Sequence, residues 1–209
     1  MNLMDGEKVI LVGDPRVGKT SIVNRYVNDS FTEMTKPTVG YDFFKKDVKL
    51  DNGESMKLFI WDTAGQERFK CLAASYYKNA SCVVLVFDLT RKLSFKKLSM
   101  WKDEIEAFGE SDIVTVLVGN KSDLDHEREV NEDEIYKYAK QNGFYYLETS
   151  ALVTGNGNID TVFRYISNQL WVRRKGMDTN KRRNQFNDNN SKAFSLERRS
   201  KGRDDGCFC

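Results

Sequence analysis

Histidine is nearly absent from this chain of 209 residues, which contains only His126. A metal site built from histidines or a hydrolase that relies on a histidine base is not expected from a single imidazole in a polar loop. On the usual burial preferences, His126 is a solvated surface residue. The chemistry of the chain therefore has to come from other side chains and from the backbone.

Cysteines are few, and they form no framework of spaced pairs. Cys71 and Cys82 lie inside the chain, whereas Cys207 and Cys209 lie at its end. This pattern predicts a reduced, cytosolic protein. The longest strongly apolar run is short, and Asn2 stands where N-myristoylation needs glycine. We therefore expect neither a signal peptide nor a membrane span.

Charge divides the chain unequally. Residues 173–206 hold 11 Lys or Arg against 5 Asp or Glu, whereas residues 1–172 hold 22 against 26. The basic segment contains few apolar residues and cannot offset its ordering entropy by burial. We predict an N-terminal extension (1–7), one folded domain (8–172), a disordered basic tether (173–206) and a terminal CFC motif (207–209). A membrane surface and nucleic acid are both possible partners of the tether.

Hydrophobic patterning predicts an α/β domain. A β-rich run, Lys8 to Val12, leads through a glycine loop into a helical segment, Lys19 to Asn28. Asp51, Asn52 and Gly53 separate two strand-like runs, which predicts an antiparallel hairpin. Three further apolar runs alternate with helical patterns, as in a doubly wound parallel sheet: Ser81 to Phe87, Ile113 to Val118 and Tyr145 to Thr149. Two helix faces are predicted, one with Phe95, Leu98, Ile105 and Phe108, and one with Ile159, Val162, Phe163, Ile166 and Leu170.

The sequence GDPRVGKT, from Gly13 to Thr20, fits a phosphate-binding loop between a strand and a helix. In such a loop Gly18 lets the backbone approach phosphates, and the amides from Arg16 to Thr20 point inward. Lys19 would neutralise charge on the outer phosphates, and Thr20 would offer a hydroxyl to Mg²⁺. An ATP-using kinase or ATPase could carry the same loop.

Three further motifs narrow the nucleotide to GTP or GDP. Asp62 ends a predicted strand, where it can hold Mg²⁺ through water, and it is followed by Gly65, whose amide can reach a γ-phosphate, and Gln66, which can orient a water. Asn120, Lys121 and Asp123 follow an apolar strand, at the edge of the sheet where ligands bind. Asp123 can accept hydrogen bonds from N1 and the exocyclic amine of guanine, which adenine does not offer. The Ala151 amide, next to Ser150, can meet the guanine carbonyl oxygen.

These motifs resemble those of the Ras superfamily of small GTPases over residues 8 to about 172, and within it the Rab family is the best match. The residues that favour Rab proteins are TVGYDF (38–43), KLFIWDTAGQERF (57–69), SYYKNA (75–80) and the terminal CFC. The resemblance implies a six-stranded mixed sheet, five strands parallel and one antiparallel, with helices on both faces. It also implies a GTP/GDP switch that hydrolyses GTP and regulates vesicle trafficking.

The resemblance implies roles for individual residues. Gln66, Lys19 and Thr38 would be catalytic, and Thr20, Thr38 and Asp62 would hold Mg²⁺. The nucleotide-binding set would be Gly13, Arg16, Val17, Gly18, Lys19, Thr20, Ser21, Phe31, Thr38, Gly65, Asn120, Lys121, Asp123, Ser150, Ala151 and Leu152. Pro15 stands where the family more often has a small residue, and Leu152 replaces a common lysine. A non-hydrolysing GTP-binding membrane scaffold, held in one state by Pro15, is the alternative function.

Membrane attachment and protein partners also follow from the resemblance. Cys207 and Cys209 resemble a double geranylgeranylation site, and two lipid chains anchor far more firmly than one. We expect cycling between cytosol and the cytoplasmic face of an intracellular membrane, with no nucleic-acid partner. Expected protein partners are effectors, an exchange factor, a GTPase-activating protein, a GDP-dissociation inhibitor and a prenylation escort. A monomer is expected.

Overall fold

The computed structural model describes residues 6–32, 37–64, 73–155 and 157–176. The chain divides into two units, Met1–Leu170 and Trp171–Cys209. In the second unit, residues 171–176 are helical, and the amine of Lys175 lies 4.8 Å from the ring centroid of Trp171. No helix within the described ranges is both long and apolar enough to span a bilayer. The tether and the CFC motif fall almost wholly outside the described residues.

The first unit alternates strands and helices along most of its length. Its strands are β1 (Glu7–Val12), β2 (Tyr41–Lys49), β3 (Ser55–Thr63), β4 (Cys82–Asp88), β5 (Val114–Asn120) and β6 (Tyr145–Thr149). Its helices are α1 (Lys19–Asn28), α2 (Ala73–Tyr77), α3 (Lys92–Lys96), α4 (Leu98–Phe108), α5 (Glu132–Asn142) and α6 (159–170), with a 3₁₀ helix at Ser122–Glu127. The strand-loop-helix arrangement at the N-terminus is therefore confirmed.

All six strands form one sheet in the order β2-β3-β1-β4-β5-β6. β2 pairs antiparallel with β3 from Tyr41↔Thr63 to Lys49↔Ser55, and every other pairing is parallel. Parallel strands need long crossovers, which the helices supply. This is the predicted mixed sheet with one antiparallel strand, and helices flank it.

Burial follows the apolar runs of the sequence. Every residue of β4 is buried, as expected for a central parallel strand that is covered on both faces. The predicted apolar face of α6 is also buried, with Val162, Phe163 and Ile166 each at most 1% exposed. These contacts fix the strand ends, which carry the candidate site.

The helical region after β4 differs from the single helix face that the sequence pattern suggested. Phe95 lies in α3 and Leu98 begins α4, with a turn at Lys97 between the two helices. The hydroxyl of Ser94 donates to the carbonyls of Asp88 and Arg91, which ties α3 to the end of β4. Phe108 is 45% exposed at the end of α4, so only Leu98 and Ile105 of this set bury fully there.

Candidate nucleotide-binding site

The site lies at the edge of the sheet where the parallel strands end. The β1–α1 loop follows Val12, Asp62 lies near the end of β3, and Asn120 ends β5. Thr149 ends β6, and it is followed by Ser150. Ligands of open α/β sheets bind at this edge because the loops after the strands meet there. The four separated sequence motifs thus converge in one region.

Two glycines shape the phosphate loop. Gly13 has a φ of 140°, and a Cβ there would lie 2.1 Å from the Val86 carbonyl oxygen of β4. Gly18 has a φ of 95° at the N-cap of α1, where a Cβ would lie 2.2 Å from Nδ2 of Asn120. Both positions therefore require glycine, because the backbone has a positive φ and because a side chain would clash with neighbouring atoms. The loop is packed against β4 on one side and against the end of β5 on the other.

Lys19 is the buried cation of this loop. It is 5% exposed, and its amine donates to the carbonyls of Gly13 (2.7 Å) and Asp14 (3.0 Å). The pKa of Lys19 is lowered to about 8, mainly because the amine is buried; Asp62 and Asp14 oppose this shift, and Arg91 adds to it. The amine is thus held at the mouth of the loop by carbonyls rather than by a salt bridge.

Three oxygen-bearing side chains meet beside Lys19. The Thr20 hydroxyl donates to Oδ2 of Asp62 at 2.6 Å, and the hydroxyls of Thr20 and Thr38 lie 3.0 Å apart. The Thr38 hydroxyl also lies 3.4 Å from Oδ2 of Asp62. Asp62 is fully buried, and its Oδ1 has no hydrogen-bond partner among the described residues. Burial raises the pKa of Asp62, although hydrogen bonds from Thr20 and the charge of Lys19 oppose the shift.

Asn120 connects the phosphate loop to the last strand. Its Nδ2 donates to the Val17 carbonyl at 2.9 Å, and its Oδ1 accepts from the Thr149 hydroxyl at 3.2 Å. The side chain is 2% exposed. Asn120 therefore holds two parts of the site in register, a role that its place in a base-recognition motif did not suggest.

The base-recognition residues are fixed by short local contacts. The Ser150 hydroxyl donates to Oδ1 of Asp123 and accepts from the amides of Leu152 (3.2 Å) and Val153 (3.3 Å). Lys121 has a φ of 69°, and its amine lies 2.6 Å from Oδ2 of the buried Asp88. Asp123 and the loop after β6 are thus brought together, as the sequence motifs predict.

The other predicted residues are placed less tightly. Arg16 is exposed with a φ of 65°, Ser21 lies in the first turn of α1, and Phe31 is half-buried. Leu152 is 52% exposed. The predictions for Gly65, Gln66, Cys207 and Cys209 lie outside the described residues.

Comparison with known proteins settles the family. The model of the Ras family matches residues 8–171. The Ras-related protein RABA6b of Arabidopsis thaliana is 44% identical over 156 residues, which cover 75% of this chain and 67% of that protein. The Ras-related protein Rab-11C of Dictyostelium discoideum is 43% identical over 151 residues (72% and 67%), and human Ras-related protein Rab-30 is 44% identical over 149 (71% and 73%). The chain belongs to the Rab family of Ras-type GTPases.

As a Rab GTPase, the chain binds GTP and GDP, hydrolyses GTP and regulates vesicle trafficking. The comparisons do not favour the non-hydrolysing scaffold. Effectors and regulators of the GTPase cycle, and association with membranes, follow from the same family membership.

The sequence did not predict the side chains that support the phosphate loop of this Rab site through Asp14 and Pro15. Asp14 is 5% exposed, and its carboxylate accepts from the Trp101 indole (3.2 Å) and pairs with the Lys97 amine (3.1 Å). Arg91 donates to the Pro15 carbonyl at 2.8 Å. These partners lie 76 and more residues from the loop in sequence, so no local spacing signals them. They connect the loop to α4 and to the β4–α3 turn.

A second missed pair joins the 3₁₀ helix region to β6. Arg128 donates to both carboxylate oxygens of Glu148 (2.9 and 2.6 Å) and to Asp125 (2.8 Å). The hydroxyl of Tyr146 also donates to Glu148 at 2.7 Å. Glu148 lies two residues before Ser150, so this fork holds the Asp123 loop against the strand that leads to Ser150.

An aromatic cluster covers the β2–β3 pair beside the site. The ring of Tyr41 lies 4.4 Å from Trp61 and 5.8 Å from Tyr76, and Phe43 lies 5.5 Å from Trp61. Tyr41 and Phe43 are 47% and 37% exposed. An aromatic surface of this kind suits a protein partner.

Proposed function

We propose that this Rab GTPase binds GTP with Mg²⁺ in the site described above and that the predicted site residues have the roles given by their motifs. The observation that carries the proposal is the cluster of Thr20, Thr38 and Asp62 beside the buried amine of Lys19. Three hard oxygens and a cation at the mouth of a phosphate loop suit a nucleoside triphosphate with a divalent ion.

The donor set fits Mg²⁺ well. Mg²⁺ prefers oxygen ligands, and in phosphate sites it takes one or two carboxylates together with substrate phosphates. Oδ1 of Asp62 is buried and has no partner among the described residues, so it offers an acceptor to an ion or to an ion-bound water. Thr20 and Thr38 would add their hydroxyl oxygens. The ion, when bound, would neutralise charge that develops on the phosphate oxygens.

Different residues of the chain would have different roles in GTP hydrolysis. Lys19 would release its hold on the Gly13 and Asp14 carbonyls and donate to the outer phosphates, because a charged oxygen is a stronger acceptor than a carbonyl. Gln66 would orient the attacking water in line with the γ-phosphate, and the Gly65 amide would hold that phosphate. Loss of the phosphate would release Thr38 and Gly65 and so change the partner-binding surface.

Guanine would lie between the loops after β5 and β6. Asp123 would accept from N1 and the exocyclic amine, and the Ala151 amide would donate to the carbonyl oxygen. Ser150 supports both contacts because its hydroxyl bonds to Asp123 and to the following amides. Phe31 would pack edge-on against the base, with Lys121 and Leu152 completing the pocket.

Partners are proposed by class. Effectors would bind the cluster of Tyr41, Phe43, Trp61 and Tyr76, in which the exposed rings of Tyr41 and Phe43 suit a protein interface. An exchange factor, a GTPase-activating protein, a GDP-dissociation inhibitor and a prenylation escort would drive the cycle. The protein would act as a monomer, without nucleic acid.

The C-terminal region would provide membrane attachment. The proposed organisation is an extension (1–7), the G domain (8–172), a basic tether (173–206) and the CFC motif (207–209). Two prenyl groups on Cys207 and Cys209 would anchor the protein at the cytoplasmic face of an intracellular membrane, with the basic tether adding attraction to anionic lipid. Extraction of the lipidated form would return it to the cytosol.

Single-turnover phosphate release tests the proposal. Protein loaded with GTP receives Mg²⁺, and free phosphate is followed over time. We expect slow release that Gln66→Leu abolishes, because leucine cannot orient the water. Gln141→Leu, at an exposed position on α5, is the matched control and should keep the wild-type rate. Release that continues unchanged in Gln66→Leu would contradict the assignment of Gln66.

A further inference from the structure

Arg25 joins the phosphate-binding helix to the base-recognition loop. It lies in the last turn of α1, and its Nε donates to the Ala151 carbonyl at 2.9 Å while its Nη2 donates to the Leu152 carbonyl at 3.2 Å. The arginine side chain is only 11% exposed. Two adjacent carbonyls are thus held by one planar guanidinium.

The orientation of Arg25 is itself fixed from a third side. Its Nη1 donates to the backbone carbonyl (3.0 Å) and to Oδ1 (2.9 Å) of Asp29, which caps α1 in the left-handed conformation. All three guanidinium nitrogens are therefore engaged. A rigid fork of this kind cannot be reproduced by a lysine, which offers a single mobile ammonium.

Both the amides and the carbonyls of the loop after β6 consequently have side-chain hydrogen-bond partners. Ser150 accepts from the amides of Leu152 and Val153, whereas Arg25 donates to the carbonyls of Ala151 and Leu152. The carbonyls of Ala151 and Leu152 belong to the planar peptide units that carry the Leu152 and Val153 amides, so Arg25 and Ser150 hold the same two units. The Ala151 amide lies in the preceding peptide unit and is joined to the first of these units through the Ala151 Cα. The Ala151 amide is the group that the proposed function assigns to the guanine carbonyl oxygen.

We propose that Arg25 is a positioning residue that orients the Ala151 amide toward the guanine O6 and thereby sets how long the nucleotide stays bound. The inference rests on the proposed guanine site. Arg25 touches no part of the nucleotide in this scheme. We expect its effect mainly at the O6 edge, since Arg25 donates directly to the Ala151 and Leu152 carbonyls, whereas Asp123 is connected to this loop through the Ser150 hydroxyl.

The test measures dissociation of three diphosphates from full-length wild type, Arg25→Gln and Arg25→Lys. GDP is the reference, 6-thio-GDP replaces O6 by the weaker acceptor sulfur, and IDP lacks the exocyclic amine that Asp123 would accept from. Arg164→Gln, an exposed arginine on α6, is the matched control. Arg25→Lys keeps the charge and one donor should Arg25→Gln fold poorly.

We expect GDP to leave Arg25→Gln about tenfold faster than wild type, the effect of losing roughly one charge-assisted hydrogen bond, with Arg25→Lys between the two. The dissociation rate of 6-thio-GDP divided by that of GDP should fall toward one in Arg25→Gln. The ratio of IDP to GDP release should stay at the wild-type value. A general loosening of the fold would instead change both ratios or neither.

Three results would each overturn either the guanine site or the role of Arg25. Wild type that releases 6-thio-GDP, IDP and GDP equally would contradict the proposed guanine site. Wild type that discriminates both analogues, with Arg25→Gln retaining the same 6-thio-GDP ratio, would leave the guanine site in place and refute the role of Arg25. An unchanged GDP release rate in Arg25→Gln would refute it as well.

Discussion

Removal of the Asn120 side chain should destabilise the Rab domain even before nucleotide binding is considered. Asn120→Ala deletes the donor to the Val17 carbonyl (2.9 Å) and the acceptor of the Thr149 hydroxyl (3.2 Å). Val17 and Thr149 are both 0% exposed. The variant therefore leaves two buried polar groups without the partner that the structure provides.

The magnitude follows from the number of groups. A buried polar group that loses its partner costs about 1–3 kcal/mol, so the two together should cost about 3 kcal/mol. In a folded unit of this size, each kcal/mol lowers the melting temperature by about 2–4 °C. The expected decrease is about 6–12 °C. Thr149→Val removes only the second bond and should lose about half as much.

Thermal unfolding over a series of GDP concentrations is the appropriate assay, because GDP binding raises the melting temperature by mass action. Extrapolation to zero GDP isolates the effect on the protein itself, whereas the concentration dependence reports binding. Asn28→Ala, an exposed asparagine at the end of α1, is the matched control. An Asn120→Ala intercept no lower than that of Asn28→Ala would refute the bridging role.

Two further changes probe the base loop and the membrane tail. Burial raises the pKa of Glu148, but hydrogen bonds from Arg128 and Tyr146 lower it more strongly, so its net pKa is below the ordinary 4.5. The carboxylate therefore stabilises the folded protein at pH values above the pKa of Glu148 in the unfolded chain. This stabilisation is lost as the pH falls through the pKa of Glu148 in the folded protein. In urea unfolding, the free energy of unfolding of Glu148→Gln should be about 1 kcal/mol lower than that of wild type at pH 7, and this difference should disappear in acid. A difference that does not depend on pH would contradict the ion-pair explanation. Serine at both Cys207 and Cys209 should move the protein from the membrane fraction to the soluble fraction. Cys71→Ser is the control and should leave the protein in the membrane fraction. An unchanged distribution of the double variant would exclude anchoring through Cys207 and Cys209.

Local sequence signals were sufficient for the sheet and for the convergence of the motifs. The strands β1, β4 and β5 are short apolar runs, and the Asp51–Gly53 turn identified the antiparallel pair of β2 and β3. The division between α3 and α4 was missed because the helical period continues across Lys97. Tertiary contacts decide there, since Ser94 binds the end of β4 and Lys97 pairs with Asp14.

Within the site, the sequence predicted which residues meet but not what holds them. The donor to Asp14 is 87 residues away, and the donor to Ala151 is 126 residues away. Such contacts depend on how helices pack beside the loops, and no spacing rule encodes that packing. Pro15 illustrates the difference, because the sequence showed its missing N–H while only the structure shows its carbonyl accepting from Arg91.

The supporting contacts divide the site into two parts that can respond separately. Asp14, with Lys97 and Trp101, connects the phosphate loop to α4, whereas Arg25 and Arg128 support the guanine side from α1 and the 3₁₀ region. Asn120 bonds directly to both parts, through Val17 and Thr149. A perturbation of α4 should therefore act first on phosphate contacts, and a perturbation of Arg25 first on base contacts. A change at Asn120 should weaken both, because it removes contacts to both parts at once.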